Sequence, residues 1–288
     1  MSAGAIAAEL RDSTPSALVM PPHVPLAGKL IYHFAPVRRG VVLSNLRAAF
    51  PELPADALRR LAQAHYAHLA RCLIELVRLA LPSRPRRSAV VRVENAEACI
   101  GAHACGKGVL VLTGHLGNWE LASVGGIGDF PQYRGQFHVL RRPLWPAWLD
   151  RLATSRFRRA GLGVLPKKGA LDRILDRLAA GDAVVFILDQ HAAGRDGVRV
   201  DFFGRPAGTF RSLAIIALTT QAPVVPMSCW REPNGGHVLR FEDPLPLLHC
   251  DDPGEAIRAN TRAYNATLER LICRHPEQWF WTHRRWKE

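Results

Sequence analysis

A histidine and a glutamate lie five residues apart in residues 114–120, directly after the apolar run 109–112. On one continuous helix this spacing would set the His115 and Glu120 side chains roughly 140° apart. The two can therefore meet only if His115 lies on a turn and Glu120 lies in the first turn of the helix that follows. A carboxylate there can hold an imidazole in one tautomer and orientation, which makes His115 a candidate general base.

The residues around this pair favour a strand–turn–helix arrangement. Gly114 and Gly117 permit a sharp turn, because glycine reaches backbone angles that other residues avoid. Asn118 is the candidate N-cap of the following helix. A bare His-x4-Glu pair also occurs by chance in many chains, so the flanking residues decide how it is interpreted.

The rest of the chain predicts an α/β fold: a central mostly parallel or mixed sheet flanked by helices, with an N-terminal helical lobe. Residues 54–81 carry a helical apolar stripe that includes Leu58, Leu61 and Leu73. After residue 87, strand-like and helix-like patterns alternate. The predicted strands are residues 89–93, 109–113, 136–141, 183–189, 223–229 and 238–241, and the predicted helices are 96–105, one from 118, 145–160, 169–180, 212–221 and 253–274.

The domain organisation follows from the same pattern. We expect residues 1–25 to be a flexible N-terminal segment, because they are rich in alanine, serine and proline. Residues 26–288 are expected to form a single domain, since neither a linker nor an internal repeat interrupts them. Within it, residues 26–87 would be the helical lobe and residues 88–288 the α/β core.

Charged residues follow two of the other predicted strands. Arg141 and Arg142 come at the end of strand 136–141, and Asp189 ends strand 183–189. Because ligands of open α/β sheets bind beyond the carboxyl ends of the strands, these groups would share a crevice with His115. Each also has a purely structural interpretation, as an ion-pair partner or a cap. His65 and His68, three residues apart, form a possible metal pair, but no third ligand follows and we expect no metal.

Composition restricts the class of protein and its partners. The 288 residues, 48% of them hydrophobic, suffice for one large core or at most two small ones. A formal charge of +13 predicts anionic partners: nucleic acid, an anionic membrane surface or an acidic carrier protein. Zinc-finger spacing, an RNP motif and a helix-turn-helix signal are absent from the sequence, which disfavours nucleic acid. The six cysteines are widely spaced and read as free thiols of a reducing compartment.

Membrane and export signals are weak. Charged residues at positions 9, 11 and 12 interrupt the stretch where a signal peptide would need an apolar core, so we expect none. The long uncharged run 212–230 contains two prolines and predicts a helix, a turn and a buried strand rather than a membrane span.

The segment Gly-His-Leu-Gly-Asn-Trp-Glu at residues 114–120 resembles the His-x4-Asp/Glu signature of the lysophospholipid acyltransferase superfamily. Its glutamate form, with Gly-Asn-Trp inside, is similar to the branch of bacterial lipid A biosynthesis late acyltransferases of the lauroyl/myristoyl type. The resemblance extends from about residue 36 to residue 287. Further matching segments, in the order of the branch, are Asn45-Leu46, Phe50-Pro51, Arg142-Pro143, Arg156 with Gly161, Asp189-Gln190, residues 201–207 with Thr209, residues 224–226 and residues 276–287.

Two features depart from the branch. Arg141 stands where the branch has a tyrosine before Arg-Pro. The branch usually carries an N-terminal membrane anchor, and residues 26–36 are too short and too polar to span a bilayer. The resemblance implies an enzyme at the cytoplasmic side of the bacterial inner membrane. Because we find no segment that could span it, we expect the attachment to be peripheral.

The resemblance implies the lysophospholipid/glycerol-3-phosphate acyltransferase fold and an O-acyltransferase. The enzyme would move a fatty acyl group from acyl carrier protein or acyl-CoA to a hydroxyl of an anionic lipid, with a lipid A-type glycolipid as first candidate. His115 would take the hydroxyl proton and Glu120 would stabilise the imidazolium. No cofactor beyond the acyl donor is implied. By resemblance, the substrate-binding residues are Asn118, Arg142, Arg156 and Asp189, with Arg142 at a phosphate or at the acyl carbonyl.

Other functions stay open. The same fold acting on another lipid, such as an aminolipid, a different glycolipid or a pigment-like lipid, would carry the same motifs. A non-catalytic relative that binds a lipid or carrier protein is the main alternative from another class, and the intact His115–Glu120 pair argues against it. A nucleic-acid-binding protein would bind in a strongly salt-dependent manner that ignores His115.

Overall fold

The computed structural model describes residues 18–80, 91–143 and 145–287. Most of the predicted flexible segment, and residues 89 and 90 of the first predicted strand, lie outside these ranges. Residues 18–25 are described, and contacts join them to the rest of the chain. The Val19 backbone N–H donates to the Cys273 carbonyl oxygen at 3.0 Å, and Leu18 and Met20 pack against the hydrophobic core.

The N-terminal lobe consists of three helices: α1 (Leu26–Phe34), α2 (Arg39–Ala49) and α3 (Ala55–Ala80). A Cβ atom at Gly28 would lie 2.2 Å from the Gln63 carbonyl oxygen, so only glycine lets α1 cross α3 this closely. The first half of α3 buries Leu61 completely, whereas Leu73 is 64% exposed. The predicted apolar stripe therefore faces the core in the first half of the helix only. Leu73 was predicted to belong to this stripe, but its side chain lies outside the core.

The α/β core follows. Its seven-stranded sheet has the order β1-β9-β8-β2-β5-β3-β4, in which neighbouring strands are parallel except for the antiparallel pair β8–β9. This confirms the predicted mostly parallel or mixed sheet. The elements are β1 (Val91–Glu94), α4 (Ala96–His103), β2 (Val109–Thr113), α5 (Trp119–Gly126), β3 (Phe137–Arg141), α6 (Ala147–Ala160), β4 (Gly163–Pro166), α7 (Leu171–Ala179), β5 (Ala183–Ile187), β6 (Gly197–Phe202), β7 (Arg205–Phe210), α8 (Ser212–Thr220), β8 (Val224–Arg231), β9 (His237–Phe241) and α9 (Pro253–Arg274).

The side chains of β2 alternate between two cores, because successive residues of a strand point to opposite faces of the sheet. Leu110 and Leu112 join the core formed with α3, α8 and α9. Val109 and Val111 join the core on the other face, with α4 and α5. Helices thus cover both faces, and all five residues of β2 are buried as in a central parallel strand.

Three strands were missed from the sequence. Strand β4 has only four residues at the edge of the sheet, and the antiparallel hairpin β6–β7 forms a separate two-stranded sheet. In contrast, β2 and α9 have the predicted bounds. Within the residues that the structure covers, no helix combines the length and the apolar character needed to cross a membrane.

Candidate active site

His115 lies on a tight turn between β2 and α5, as predicted. Asn118 is the N-cap of α5, and its side-chain oxygen accepts from the Leu121 N–H at 3.3 Å. Gly117 has φ +57°, and a Cβ there would lie 2.6 Å from the Cys229 carbonyl oxygen, so the turn needs glycine. The Gly117 N–H also donates to the Gln278 carbonyl oxygen at 2.9 Å. Glu120 lies in the first turn of α5, close to the positive end of the helix dipole.

The partner of the His115 imidazole is Asp189. The His115 Nδ1 atom lies 2.8 Å from Asp189 Oδ1. The His115 backbone N–H and the Trp279 Nε1–H both donate to Asp189 Oδ2, each at 2.7 Å. Asp189 has no exposed surface, while the His115 side chain is 23% exposed. An Nδ1–H donated to this carboxylate leaves the Nε2 lone pair for a proton from a substrate.

This arrangement corrects two predictions. We expected Glu120 to orient the imidazole, but among the described residues no hydrogen bond joins Glu120 to His115, and Asp189 takes that role. We also expected Asp189 to bind substrate, yet it is buried with both oxygens in use. The reason is the sheet: Thr113 and Ile187 are paired across β2 and β5, so the residues two positions beyond each strand meet. A partner 74 residues away leaves no spacing signal in the sequence.

The electrostatics of the pair suit a base. Burial alone would raise the pKa of Asp189, but His115, through its charge and hydrogen bonds, holds it well below the usual range. Burial alone would lower the pKa of His115, and here the charge and hydrogen bond of Asp189 outweigh burial, so the pKa is raised. Lys167 opposes this rise and Glu120 adds to it.

Glu120 faces cations rather than the imidazole nitrogen. Burial raises the pKa of Glu120, and the nearby charges of Arg141 and Arg156 work against that rise. Arg156, a predicted substrate-binding residue on α6, is half-buried on this side. Arg141 donates to Thr154 Oγ1 at 2.8 Å and pairs with Asp150 at 2.9 Å. The site thus combines a carboxylate and two guanidinium groups beside His115.

Arg142, predicted to bind substrate, is exposed beyond the end of β3. It shares the carboxyl edge of the sheet with Lys167, which follows the neighbouring strand β4. The pKa of Lys167 is lowered mainly because the ammonium group is buried, and the charge of Arg142 lowers it further. The Lys167 Nζ atom lies 4.0 Å from the centre of the Phe210 ring. Lys167 was not predicted as a site residue. Its one signal in the sequence is that it forms a basic pair with Lys168, which does not indicate a site by itself.

The C-terminal segment closes one side of the site. The ring centres of Phe280 and His283 lie 6.0 Å and 6.1 Å from that of His115. The His283 Nε2 atom lies 3.1 Å from the Asp189 carbonyl oxygen, and burial lowers the pKa of His283. Trp279 is fully buried behind them. The match of residues 276–287 to the resembled branch was the signal that could have found these residues.

A buried polar cluster supports the turn from behind. Glu75 of α3 accepts from Asn118 Nδ2–H at 2.8 Å, and from Arg231 Nε–H and Nη2–H at 2.8 Å and 2.6 Å. Although burial alone would raise the pKa of Glu75, the hydrogen bonds from His237, Arg231 and Asn118 hold it well below the usual range. Both ends of the Asn118 side chain are therefore used within the protein, which corrects its predicted role in substrate binding.

The histidines weighed as a metal pair have separate roles. His68 Nδ1 lies 3.0 Å from Arg231 Nη1 at the edge of this cluster, whereas His65 Nδ1 lies 3.2 Å from the Glu277 carbonyl oxygen. Across the described ranges, no group of three or more His, Cys, Asp or Glu side chains is placed to hold a metal ion.

The Glu75→Ala variant is expected to lose about 3–5 kcal/mol of unfolding free energy, because the buried Arg231 guanidinium would keep no carboxylate partner. The matched control is Asp56→Ala, which breaks the exposed ion pair between Asp56 and Arg60 on the same helix. Those side chains are 63% and 60% exposed, so Asp56→Ala should cost less than about 1 kcal/mol. Chemical denaturation measures both, and equal losses would contradict a dominant role of the buried pair.

The family of the chain follows from comparison with known proteins. The model of the bacterial lipid A biosynthesis acyltransferase family matches residues 14–288. A phosphatidylinositol mannoside acyltransferase of Mycolicibacterium smegmatis is 25% identical over 246 residues, 84% of this chain and 77% of the relative. The lipid A biosynthesis lauroyltransferase of Escherichia coli K12 is 26% identical over 262 residues, 90% of this chain and 82% of the relative.

A lipid A biosynthesis acyltransferase of Haemophilus influenzae is 25% identical over 266 residues, 89% of this chain and 79% of the relative. The range matched by the family model includes the turn with His115, the strand end with Asp189 and the C-terminal segment. The chain therefore belongs to the bacterial lipid A biosynthesis acyltransferase family and is a lipid acyltransferase, an enzyme that transfers acyl groups other than aminoacyl groups.

Proposed function

We propose that the enzyme is an O-acyltransferase in which His115 is the general base for a lipid hydroxyl. The observation that carries this proposal is the imidazole held through Nδ1 by buried Asp189 while the ring stays partly exposed. A histidine fixed in this way presents Nε2 to the incoming hydroxyl, as in a catalytic triad without its serine. The acyl acceptor itself is then the nucleophile.

The reaction proceeds in two proton-coupled steps. The hydroxyl oxygen attacks the thioester carbonyl carbon while its proton passes to His115 Nε2. The tetrahedral oxyanion then collapses, the carbon–sulfur bond breaks, and the leaving thiolate takes the proton from the imidazolium. Asp189 stabilises the imidazolium through its hydrogen bond, and Glu120 adds negative charge nearby. Lys167 and Arg142 are the cations that would stabilise the oxyanion or a substrate phosphate.

An apolar cavity beside α5 supports a fatty acyl substrate. Ser123 and Gly126 of α5, and Ile127 just after its end, line the cavity. Aromatic and aliphatic side chains of α4 and of strands β3 and β9 complete a lining suited to an alkyl chain. Among them are Ile100, Phe137 and Leu239, and Tyr133 joins them from the segment before β3.

The basic character of the chain suits both substrates, the acyl donor and the lipid acceptor. Acyl carrier protein and acyl-CoA are anionic donors, and a charge of +13 favours their approach. Relatives named for lipid A biosynthesis and for acylation of phosphatidylinositol mannoside favour a glycolipid hydroxyl as acceptor, with a lipid A-type lipid first. The acceptor lies in the membrane, so the enzyme would work peripherally at its cytoplasmic side.

Mass spectrometry tests the proposal. The purified protein is incubated with acyl carrier protein or CoA thioesters and bacterial membrane lipids, beside the His115→Ala variant. A lipid that gains one acyl mass only with the unchanged protein identifies the reaction, the donor and the acceptor. Absence of product with every donor, or equal product from both proteins, would contradict the proposal and favour a lipid- or carrier-binding protein.

The pH dependence follows from the raised pKa of His115. The base must be neutral, so kcat/KM should fall as the pH drops through a pKa above the ordinary histidine value of about 6.5. The cause is the Asp189 carboxylate, which favours the charged imidazolium. A pH–rate profile of the purified enzyme measures this acid limb. An acid limb below that ordinary value would show that the Asp189 charge does not control the base.

A further inference from the structure

Two exposed tryptophans lie at the catalytic edge of the sheet. Trp145 is 91% exposed and Trp148 is 61% exposed. They stand after the carboxyl end of β3 and in the first turn of α6. Exposed Arg142 and Arg151 flank them. We call these four residues the Trp–Arg edge. Large indole rings gain most of their stabilising free energy when buried, so a solvent-facing pair marks a surface that meets an apolar partner.

Other apolar side chains are exposed on the described surface. Val37 is 67% exposed, and the neighbouring Arg38 side chain donates to the carbonyl oxygen of Thr282 in the segment that closes the site. Leu73 and Val77 are 64% and 50% exposed in the second half of α3.

Leu171, 55% exposed, begins α7 just after β4 ends at the same edge. Exposed apolar side chains thus occur on four separate chain segments: the residues before α2, the second half of α3, the Trp–Arg edge and the start of α7. The family acts on lipids, and tryptophan beside arginine is the combination found at membrane interfaces, so a bilayer is the partner that this surface fits best.

We propose that the Trp–Arg edge docks the enzyme on an anionic lipid bilayer, with the catalytic edge of the sheet facing the headgroups. Tryptophan concentrates at the membrane–water interface, because its ring is apolar and its N–H hydrogen-bonds at headgroup level. The two exposed arginines would add electrostatic attraction to anionic headgroups. This inference deepens the proposed function and rests on it, since docking brings His115 to a hydroxyl that stays in the membrane.

The test uses the full-length purified protein and the double variant Trp145→Ala/Trp148→Ala. Sedimentation with phosphatidylglycerol-containing vesicles should show binding by the unchanged protein that weakens by about tenfold or more in the variant. Tryptophan emission should shift to shorter wavelength on binding, and lipids brominated near the headgroups should quench it. The matched variant Trp145→Phe/Trp148→Phe keeps the aromatic bulk and should retain much of the binding. Circular dichroism verifies that each variant is folded.

Activity provides a second, independent measurement. With acceptor lipid dispersed in detergent, the Ala variant should keep its turnover, while with acceptor in vesicles it should lose activity in proportion to binding. Unchanged vesicle binding, or equal loss of activity on dispersed lipid, would overturn the proposal. So would loss of binding to an acidic carrier protein while vesicle binding persists. If the unchanged enzyme forms no product at all, the proposed function fails, and the vesicle measurements still decide whether the Trp–Arg edge docks on a bilayer.

Discussion

The His115→Ala variant is expected to turn over about 10²–10⁴-fold more slowly than the unchanged enzyme, because no other group holds the position that accepts the hydroxyl proton. His283, the nearest other imidazole, has its ring centre 6.1 Å away and its Nε2 against the Asp189 carbonyl oxygen. Burial also lowers its pKa. The loss should appear in kcat, with a small effect on KM, since the imidazole acts on the transition state rather than on the bound acyl chain.

The control for this prediction is a residue of the same type that lies close to the base without touching the reacting atoms. His283→Ala is expected to cost much less than His115→Ala, because the Nδ1–Asp189 hydrogen bond of His115 would stay intact. Initial rates of product formation by mass spectrometry and thermal unfolding of each variant separate loss of catalysis from loss of fold. Equal losses for the two histidines would contradict the assignment of His115 as the base.

The sequence permitted prediction of the parts of the site that depend on local rules. Strand β2, the turn with its glycines and the Asn118 cap all follow from residues within ten positions of one another. The amphipathic helix α9 was predicted with its observed bounds for the same reason. Local preferences, caps and periodicity act over a few residues, so the strand–turn–helix that carries His115 is readable without a structure.

The parts of the site that were not predicted depend on contacts between segments far apart in the sequence. A carboxylate after a buried strand gives the same sequence pattern whether it faces a ligand or the next turn, so Asp189 was assigned to substrate. Its true environment requires the β2–β5 register and the Trp279 indole, 90 residues further along the chain. Glu75 likewise looks like a solvated helix residue, and only the packing of α3 against the turn reveals its pairing with Arg231.

Helix α3 shows how one element can serve two environments. Its first half is core, with Leu58 and Leu61 buried, whereas its second half leaves Leu73 and Val77 exposed. A single period of apolar residues covers both halves, because the same residue types suit a protein core and a lipid surface. Periodicity therefore predicts that the helix is amphipathic, and the surrounding structure determines what its apolar side meets.

The Asp189→Asn variant should lower kcat by as much as about 10⁴-fold while leaving the fold intact. Two donors, the His115 backbone N–H and the Trp279 Nε1–H, converge on Oδ2 and will hold the single amide oxygen of asparagine there. The amide nitrogen must then face His115 Nδ1. Because that nitrogen donates, Nδ1 must become the acceptor and the proton moves to Nε2, which leaves the imidazole in the tautomer that cannot take a proton from the hydroxyl.

Two further measurements distinguish this tautomer effect from general damage. Without the Asp189 charge the pKa of His115 falls, so the acid limb of the remaining activity should move to lower pH than in the unchanged enzyme. In the His115→Ala background, Asp189→Asn should cost almost nothing more, because residues that act as one unit are not additive. A full additional loss in that double variant would mean that Asp189 acts on the reaction by a route other than the imidazole. Asp189 would then have to be treated as a group that shapes the site around Trp279, and the orienting role would return to Glu120.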